Sequence, residues 1–391
     1  MLIVDAHQDI AYNALELGRD IRLSVHTTRR REARTPLNIV GGDYEAMLEA
    51  LGNTEKRDIA MSGLPELRRG GFGVIFGSIF AHPLCDGCNG EGAHSQVYRS
   101  SEEAYRVGRE QLSYYRQLAE EPGITLIRTR EDLQEVLMAW ESTKDDDPER
   151  PLGLIPLMEG ADPIRTPGEA ASWFENGLRI VGLSWSMGTR YSSGDAQDGP
   201  LTTQGELLLS EMERVGLILD VTHMAEKAFW QAMERFRGPV IASHSNCRAI
   251  TMRNVPDDDY LTVIANAQRH LSDEMIRALA EHDAVIGVVP FNRFLDGTWA
   301  RTRRFDTTLD LLVRHIDHIC QLTGNARHVG LGSDIDGGFG RDETPLELDT
   351  VADMIKLADA LRSTGYREED IVGIMGANWC RLMESALPSA L

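Results

Sequence analysis

Short apolar runs recur along the chain, with amphipathic stretches between them. The runs are Leu2–Ala6, Gly73–Phe80, Leu152–Met158, Ile180–Trp185, Leu217–Thr222, Val240–Ser243, Val285–Val289 and His328–Gly332. Several are near-continuously apolar rather than alternating, as expected of strands covered on both faces. Ile124–Ile127 is shorter and reads as an accessory strand. Helix starts fall between the runs. Ser100-x-x-Glu103 opens a stretch with Ala104, Val107, Leu112, Tyr115 and Leu118 near helical spacing. Thr129-x-x-Asp132 precedes Leu133, Val136, Leu137 and Trp140. Thr203-x-x-Glu206 precedes Leu208, Met212 and Val215, and Gly216 supplies a stop.

Strands alternating with helices fit either a (β/α)8 barrel or a doubly wound sheet. A doubly wound nucleotide binder needs a Gly-rich turn after an early strand. The first strand runs instead into His7-Gln8-Asp9, with no Gly-x-Gly-x-x-Gly. The expectation is therefore an α/β fold, a (β/α)8 TIM-type barrel with additional C-terminal helices. Residues from about Leu346 to Ala386 read as two or more helices packed on its outside. No low-complexity linker divides the chain, so residues 1–391 are expected to form a single domain. Lys144–Arg150 reads as a solvated loop.

Composition narrows the partners. A net charge of −21 argues against a nucleic acid, whose phosphates demand a basic face. The one basic cluster, Arg29-Arg30-Arg31-Glu32-Ala33-Arg34, has no interleaved aromatics and reads as an exposed loop. Five scattered cysteines do not form a disulfide framework, and Cys85-Asp-Gly-Cys88 lacks the second pair of a zinc knuckle. No signal-peptide pattern precedes the first strand, and no apolar run approaches ~18 residues. A cytoplasmic protein without membrane association is expected.

The chemistry lies at the ends of the runs, where barrel enzymes carry their functional groups. His7 and Asp9 end the first run. Glu159 ends the third, His223 the fifth, His244 the sixth, and Asp334 the last, followed by Asp336. Imidazoles and carboxylates together suit zinc, and less selectively manganese or iron. The set exceeds what one catalytic ion needs. Two ions need a bridging carboxylate, for which Glu159 is the candidate, and water held between them becomes a hydroxide nucleophile near neutral pH. Asp334 reads as a further ligand or as a proton-transfer group, and Asp336 as a turn residue.

Specific strings carry a resemblance. They are Asp5-Ala6-His7-Gln8-Asp9, Met158-Glu159-Gly160, Pro200-Leu201-Thr202-Thr203 through Asp220-Val221-Thr222-His223, Ser243-His244-Ser245-Asn246, Arg253-Asn254-Val255-Pro256-Asp257-Asp258 and His328-Val329-Gly330-Leu331-Gly332-Ser333-Asp334-Ile335-Asp336-Gly337. With them the chain, from about residue 2 to Asn378, resembles the renal or membrane dipeptidase family of metallohydrolases. The resemblance implies a barrel with two zinc ions. His7 and Asp9 would bind one ion, His223 and His244 the other, and Glu159 would bridge. Asp334 would transfer the proton, and Arg253 would pair with the carboxylate of a small dipeptide-like substrate. A homodimer is also implied.

One departure bears on activity. Relatives carry a Thr-His pair after the fourth strand, whose imidazole contacts the substrate carbonyl. Here the string is Leu183-Ser184-Trp185, so Trp185 stands where that His would be. An indole donates one N–H and accepts nothing. Phe291 stands where some relatives have Tyr, which removes a second polar contact. The loop Ser186–Thr203 follows a strand at the active face and is expected to shape the pocket, while its Arg190 reads as a surface residue. The leading expectation is a zinc dipeptidase. The alternatives are a hydrolase of N-acyl amino acids, lactones or other amides and esters, and an inert scaffold barrel.

Overall fold

In the computed structural model, which describes residues 1–32, 59–84, 96–145, 147–255, 267–299 and 306–390, eight parallel strands form the expected barrel. They are β1 (Ile3–Gln8), β2 (Phe72–Phe80), β3 (Leu152–Glu159), β4 (Ile180–Gly182), β5 (Ile218–Asp220), β6 (Val240–Ile241), β7 (Ile286–Val288) and β8 (Val329–Leu331). Neighbours in sequence are neighbours in space from β1 to β6, and β8 pairs back with β1. A single parallel bridge, Ala242 with Ile286, joins β6 to β7 and completes the circuit. The accessory strand Ile124–Leu126 pairs outside this circuit with β3.

One buried cluster draws residues from around the circuit: Val4 and Ala6, Val74 and Phe76, Ile155 and Leu157, then Ile180, Ile218, Ile241 and Val285. These fill the barrel interior, and the opposite strand faces meet the surrounding helices in a larger cluster. The last helix, Asn378–Ala386, differs from expectation. It does not merely pack outside, because Trp379, Leu382 and Met383 join the interior cluster. The Trp379 ring meets Phe76 edge-on at 5.3 Å, and its Nε1 donates to the Leu331 carbonyl at 2.9 Å. A large amphipathic ring with one donor suits the end of a barrel, where apolar packing meets strand carbonyls.

The helices at Ser101–Leu118 and Arg130–Ser142 start where the sequence indicates, with Ser100 and Thr129 as caps. The helix Thr203–Val215 starts one residue earlier than its capping box suggested. Thr202 is the cap, its side chain accepting from the Gly205 N–H at 3.1 Å. Gly216, at φ 83°, ends it as expected.

The basic cluster also departs from expectation. It begins inside the helix Val25–Glu32, and Arg29 is buried, donating to the Ala60 carbonyl and pairing with Asp349. Arg34, Cys85 and Cys88 lie outside the described residues. Among the described residues, Cys247, Cys320 and Cys380 are unbridged, and no helix is long and apolar enough to cross a membrane.

Candidate metal centre

His7 reaches the centre through an irregular strand. Val4 and Ala6 face the interior, so strict alternation would turn His7 outward. The pairing of β1 with β2 shifts register between Asp5 and Gln8, where three steps on β1 match two on β2. Such a bulge re-aims a side chain. His7 therefore follows Ala6 into the barrel, while Glu159 continues the regular Ile155–Leu157 face of β3.

The groups converge on Glu159, and its two oxygens face different partners. Oε1 lies 3.0 Å from His223 Nε2 and 3.3 Å from His244 Nε2. Oε2 lies 3.6 Å from His7 Nε2, which is itself 3.6 Å from Asp9 Oδ1. Asp334 stands 4.0 Å from His7 on a third side. Three overlapping sets could each hold an ion: His7, Asp9 and Glu159; Glu159, His223 and His244; and His7, His244 and Asp334. In each, the ligand atoms lie within 4.8 Å of one another.

Backbone and outer partners fix this arrangement. Of four non-glycine residues at positive φ among the described residues, His223 (66°), Asp334 (54°) and Asp336 (66°) flank the centre. Such conformations cost energy and persist where surroundings enforce them. For His223 the enforcement is visible: its carbonyl accepts from Ser184 Oγ and from the Asp195 N–H, both at 3.0 Å. Asp195 Oδ2 also lies 2.7 Å from His223 Nδ1. If Nδ1 carries the proton, Nε2 keeps a lone pair that a cation beside Glu159 could take. His244 has a parallel arrangement. Ser243 Oγ is 2.9 Å from His244 Nδ1 and donates to Asp220 Oδ2 at 2.5 Å. Both Nε2 atoms then point lone pairs at one another across 3.2 Å, beside a carboxylate. Among the described residues neither His7 ring nitrogen has a hydrogen-bond partner, although the ring is fully buried. Converging lone pairs and an orphaned buried imidazole fit a cation, so the residues present suit a metal.

Charge within the cluster follows from the same crowding. Burial disfavours charge on His7, but Glu159 and Asp9 hold its pKa well above the ordinary value. Burial and the neighbouring His7 push His244 well below. Glu159 resists its burial because the surrounding imidazoles favour its ionised form. Asp334 is raised well above the carboxylate range by burial, with Asp9 and Glu159 adding to it.

Of the other expected residues, Trp185 touches this core. Trp185 is half-buried beside it, its ring 6.3 Å from that of His223. Gly160, at φ 78°, follows Glu159, and a Cβ there would already touch Trp185. Phe291 stacks on Phe339 at 4.3 Å and meets Phe294 edge-on at 4.8 Å. Arg253 is exposed just after the short helix Arg248–Thr251. Arg190 is an ion-pairing residue, 3.0 Å from Asp162. Asp336 does more than turn the chain: its buried carboxylate accepts from the Met61 and Ser62 N–H groups.

Two residues escaped the sequence reading. Asp195 comes from the loop after β4, which does shape the centre, being bridged through Gly194 to Met224 beside His223. Arg269 precedes the helix Asp273–Glu281, lies 3.7 Å from Asp195 and 4.6 Å above the Phe294 ring, and is buried with no nitrogen hydrogen-bonded among the described residues. Its positive charge is felt at His223, His244 and Asp334. A Gly-rich loop and a buried Arg before a capped helix leave no spacing signal in one sequence.

Known proteins supply a frame for this geometry. The sequence profile of the membrane dipeptidases, peptidase family M19, matches residues 1–267 and 260–389. An uncharacterized protein encoded in the pqqA 5′ region of Klebsiella pneumoniae is 31% identical over 243 residues, covering 60% of this chain and 82% of that protein. Dipeptidase aclJ of Aspergillus oryzae is 28% identical over 241 residues, 59% of this chain and 51% of that one. A metallo peptidase from Rhodobacter sphaeroides, solved with a phosphinate mimic of the dipeptide L-Ala-D-Ala, superposes with a TM-score of 0.70 at 22% identity, covering 99% of both chains.

Proposed function

The chain belongs to the membrane dipeptidase family, and from that membership we propose that it is a binuclear zinc peptidase that hydrolyses dipeptides. The observation that carries the reading is the division of Glu159, one oxygen toward His223 and His244 and the other toward His7. A carboxylate shared in this way suits a bridge between two ions, His7 and Asp9 holding one, and His223 and His244 the other. Zinc, when bound, supplies a water of lowered pKa and polarises the scissile carbonyl.

The chain's own residues do the rest. Asp334 carries the proton. Its position, 4.0 Å from His7 and grouped with His7 and His244, suits a carboxylate that accepts a proton from the attacking water and gives it to the departing amine. Its N–H donates to the His7 carbonyl at 3.1 Å, which locks the proton carrier to the strand bearing the ligands. Arg269 anchors the substrate carboxylate. Among the described residues its buried guanidinium has an ion pair with Asp195 but no hydrogen bond, which leaves donors for a second carboxylate, and Arg253 is exposed. Trp185 and Phe291 border the substrate.

A substrate panel tests the reading. Zinc-loaded protein should hydrolyse dipeptides at kcat/KM values at least tenfold above those for N-acyl amino acids and lactones of similar size. Faster turnover of either other class would transfer the assignment to it, and no turnover of any would favour an inert barrel.

A further inference from the structure

Beside the metal centre lies a continuous aromatic surface that neither the ligand set nor the carboxylate anchor uses. Tyr12, one turn into the helix that follows Asp9, meets Phe80 at 5.4 Å between ring centroids. Phe80 ends β2 directly opposite Glu159 and meets Trp185 at 5.1 Å. His82 closes the group, 5.9 Å from Phe80 and 5.4 Å from Trp185. Phe80 is buried, but Tyr12, His82 and Trp185 each keep part of their surface open. Half-open rings beside a charged centre lose apolar hydration only when something flat or apolar covers them.

The placement indicates which part of a substrate does so. Arg269 approaches the centre through Asp195 and His223, with Phe294 beneath it. The wall approaches from Asp9 and Glu159, through Tyr12 and Phe80. Trp185 also lies 6.3 Å from His223, but Phe80 pairs opposite Glu159 and Tyr12 follows Asp9, so a dipeptide whose carboxylate rested on Arg269 would extend its amino-side residue past Glu159 toward these rings. We propose that Trp185, Phe80, His82 and Tyr12 form the subsite for the amino-side side chain, and that it selects aromatic or large apolar side chains. The proposal rests on the dipeptidase reading and adds the substrate class to it. It also gives Trp185 a positive role: the indole supplies a flat recognition surface.

The test compares L-Phe-L-Ala, L-Ala-L-Phe, L-Lys-L-Ala and L-Ala-L-Ala on zinc-loaded wild-type, Trp185→Ala and Trp185→Phe protein. Metal content and circular dichroism are recorded for each variant. Wild type should favour L-Phe-L-Ala over L-Ala-L-Ala by about tenfold or more in kcat/KM, as expected when an apolar side chain fills a complementary pocket. Trp185→Ala should lower that ratio about tenfold, and Trp185→Phe should keep most of it. Calorimetric binding of the same peptides reads the subsite without turnover. If no dipeptide is cleaved but L-Phe-L-Ala binds preferentially through Trp185, the dipeptidase reading fails and the aromatic subsite stands. A ratio below threefold in both measurements overturns the subsite. So does a ratio that Trp185→Ala leaves unaltered, a Trp185-dependent preference for L-Ala-L-Phe, or an equal preference for lysine.

Discussion

Glu159 can serve two partners because its carboxylate is held edge-on between His7 and the His223–His244 pair. The ligands were legible one at a time, since each ends an apolar run and strand ends are where barrels place chemistry. Their outer partners were not. Asp195 is 28 residues before His223 in sequence yet touches it in both side chain and backbone, a contact made by loop folding. Outer-shell carboxylates that orient metal-binding imidazoles typically contribute 10–100-fold to affinity. Asp195→Ala should therefore weaken zinc binding by roughly that factor in a chelator competition, and a change under threefold would deny it a positioning role. Arg269 makes a second prediction. Hydrogen bonds to charged groups contribute ~1.5–3 kcal/mol. Arg269→Met should lower kcat/KM about ten- to hundredfold for dipeptides with a free carboxylate, and far less for their amides. If Arg253→Met gives that pattern instead, the anchor is the residue the Arg-Asn-Val-Pro string suggested.

Elements were legible where period and caps agree. All eight apolar runs are strands, and the caps at Ser100 and Thr129 sit where composition put them. Two features lay below that level. The bulge of β1 is a register relation between strands, invisible in Asp5-Ala6-His7-Gln8-Asp9 alone, although it decides where His7 points. The seating of the last helix likewise depends on which open end of the barrel it meets. Trp379 is fully buried there, and truncating such a residue typically costs ~3–5 kcal/mol. Trp379→Ala should lose about that much stability in denaturant unfolding. A loss under 1 kcal/mol would mean that the barrel closes without it.

Over the whole molecule, a net charge of −21 coexists with a centre that gathers imidazoles around carboxylates. The overall charge argues against polyanionic partners, while the local arrangement determines the chemistry. It also sets a pH dependence. A ligand imidazole must be neutral, and the pKa of His7 is raised by Glu159 and Asp9 against the opposing effect of burial. Metal binding therefore expels a proton from His7, and affinity should rise with pH up to that raised pKa and flatten above it. Titrations in buffers of different ionisation heat should report proton release on zinc binding near neutral pH. Zinc uptake without proton release would contradict the assignment.

Whether Glu159 bridges a two-zinc hydrolytic centre is decided by metal content measured beside dipeptidase activity, for wild type and for Glu159→Ala. Wild type should hold close to two zinc ions per chain and lose activity on exhaustive chelation, with recovery on adding zinc, and the variant should lose both metal and activity. Full dipeptide hydrolysis by the chelated, metal-free protein would contradict the two-zinc centre.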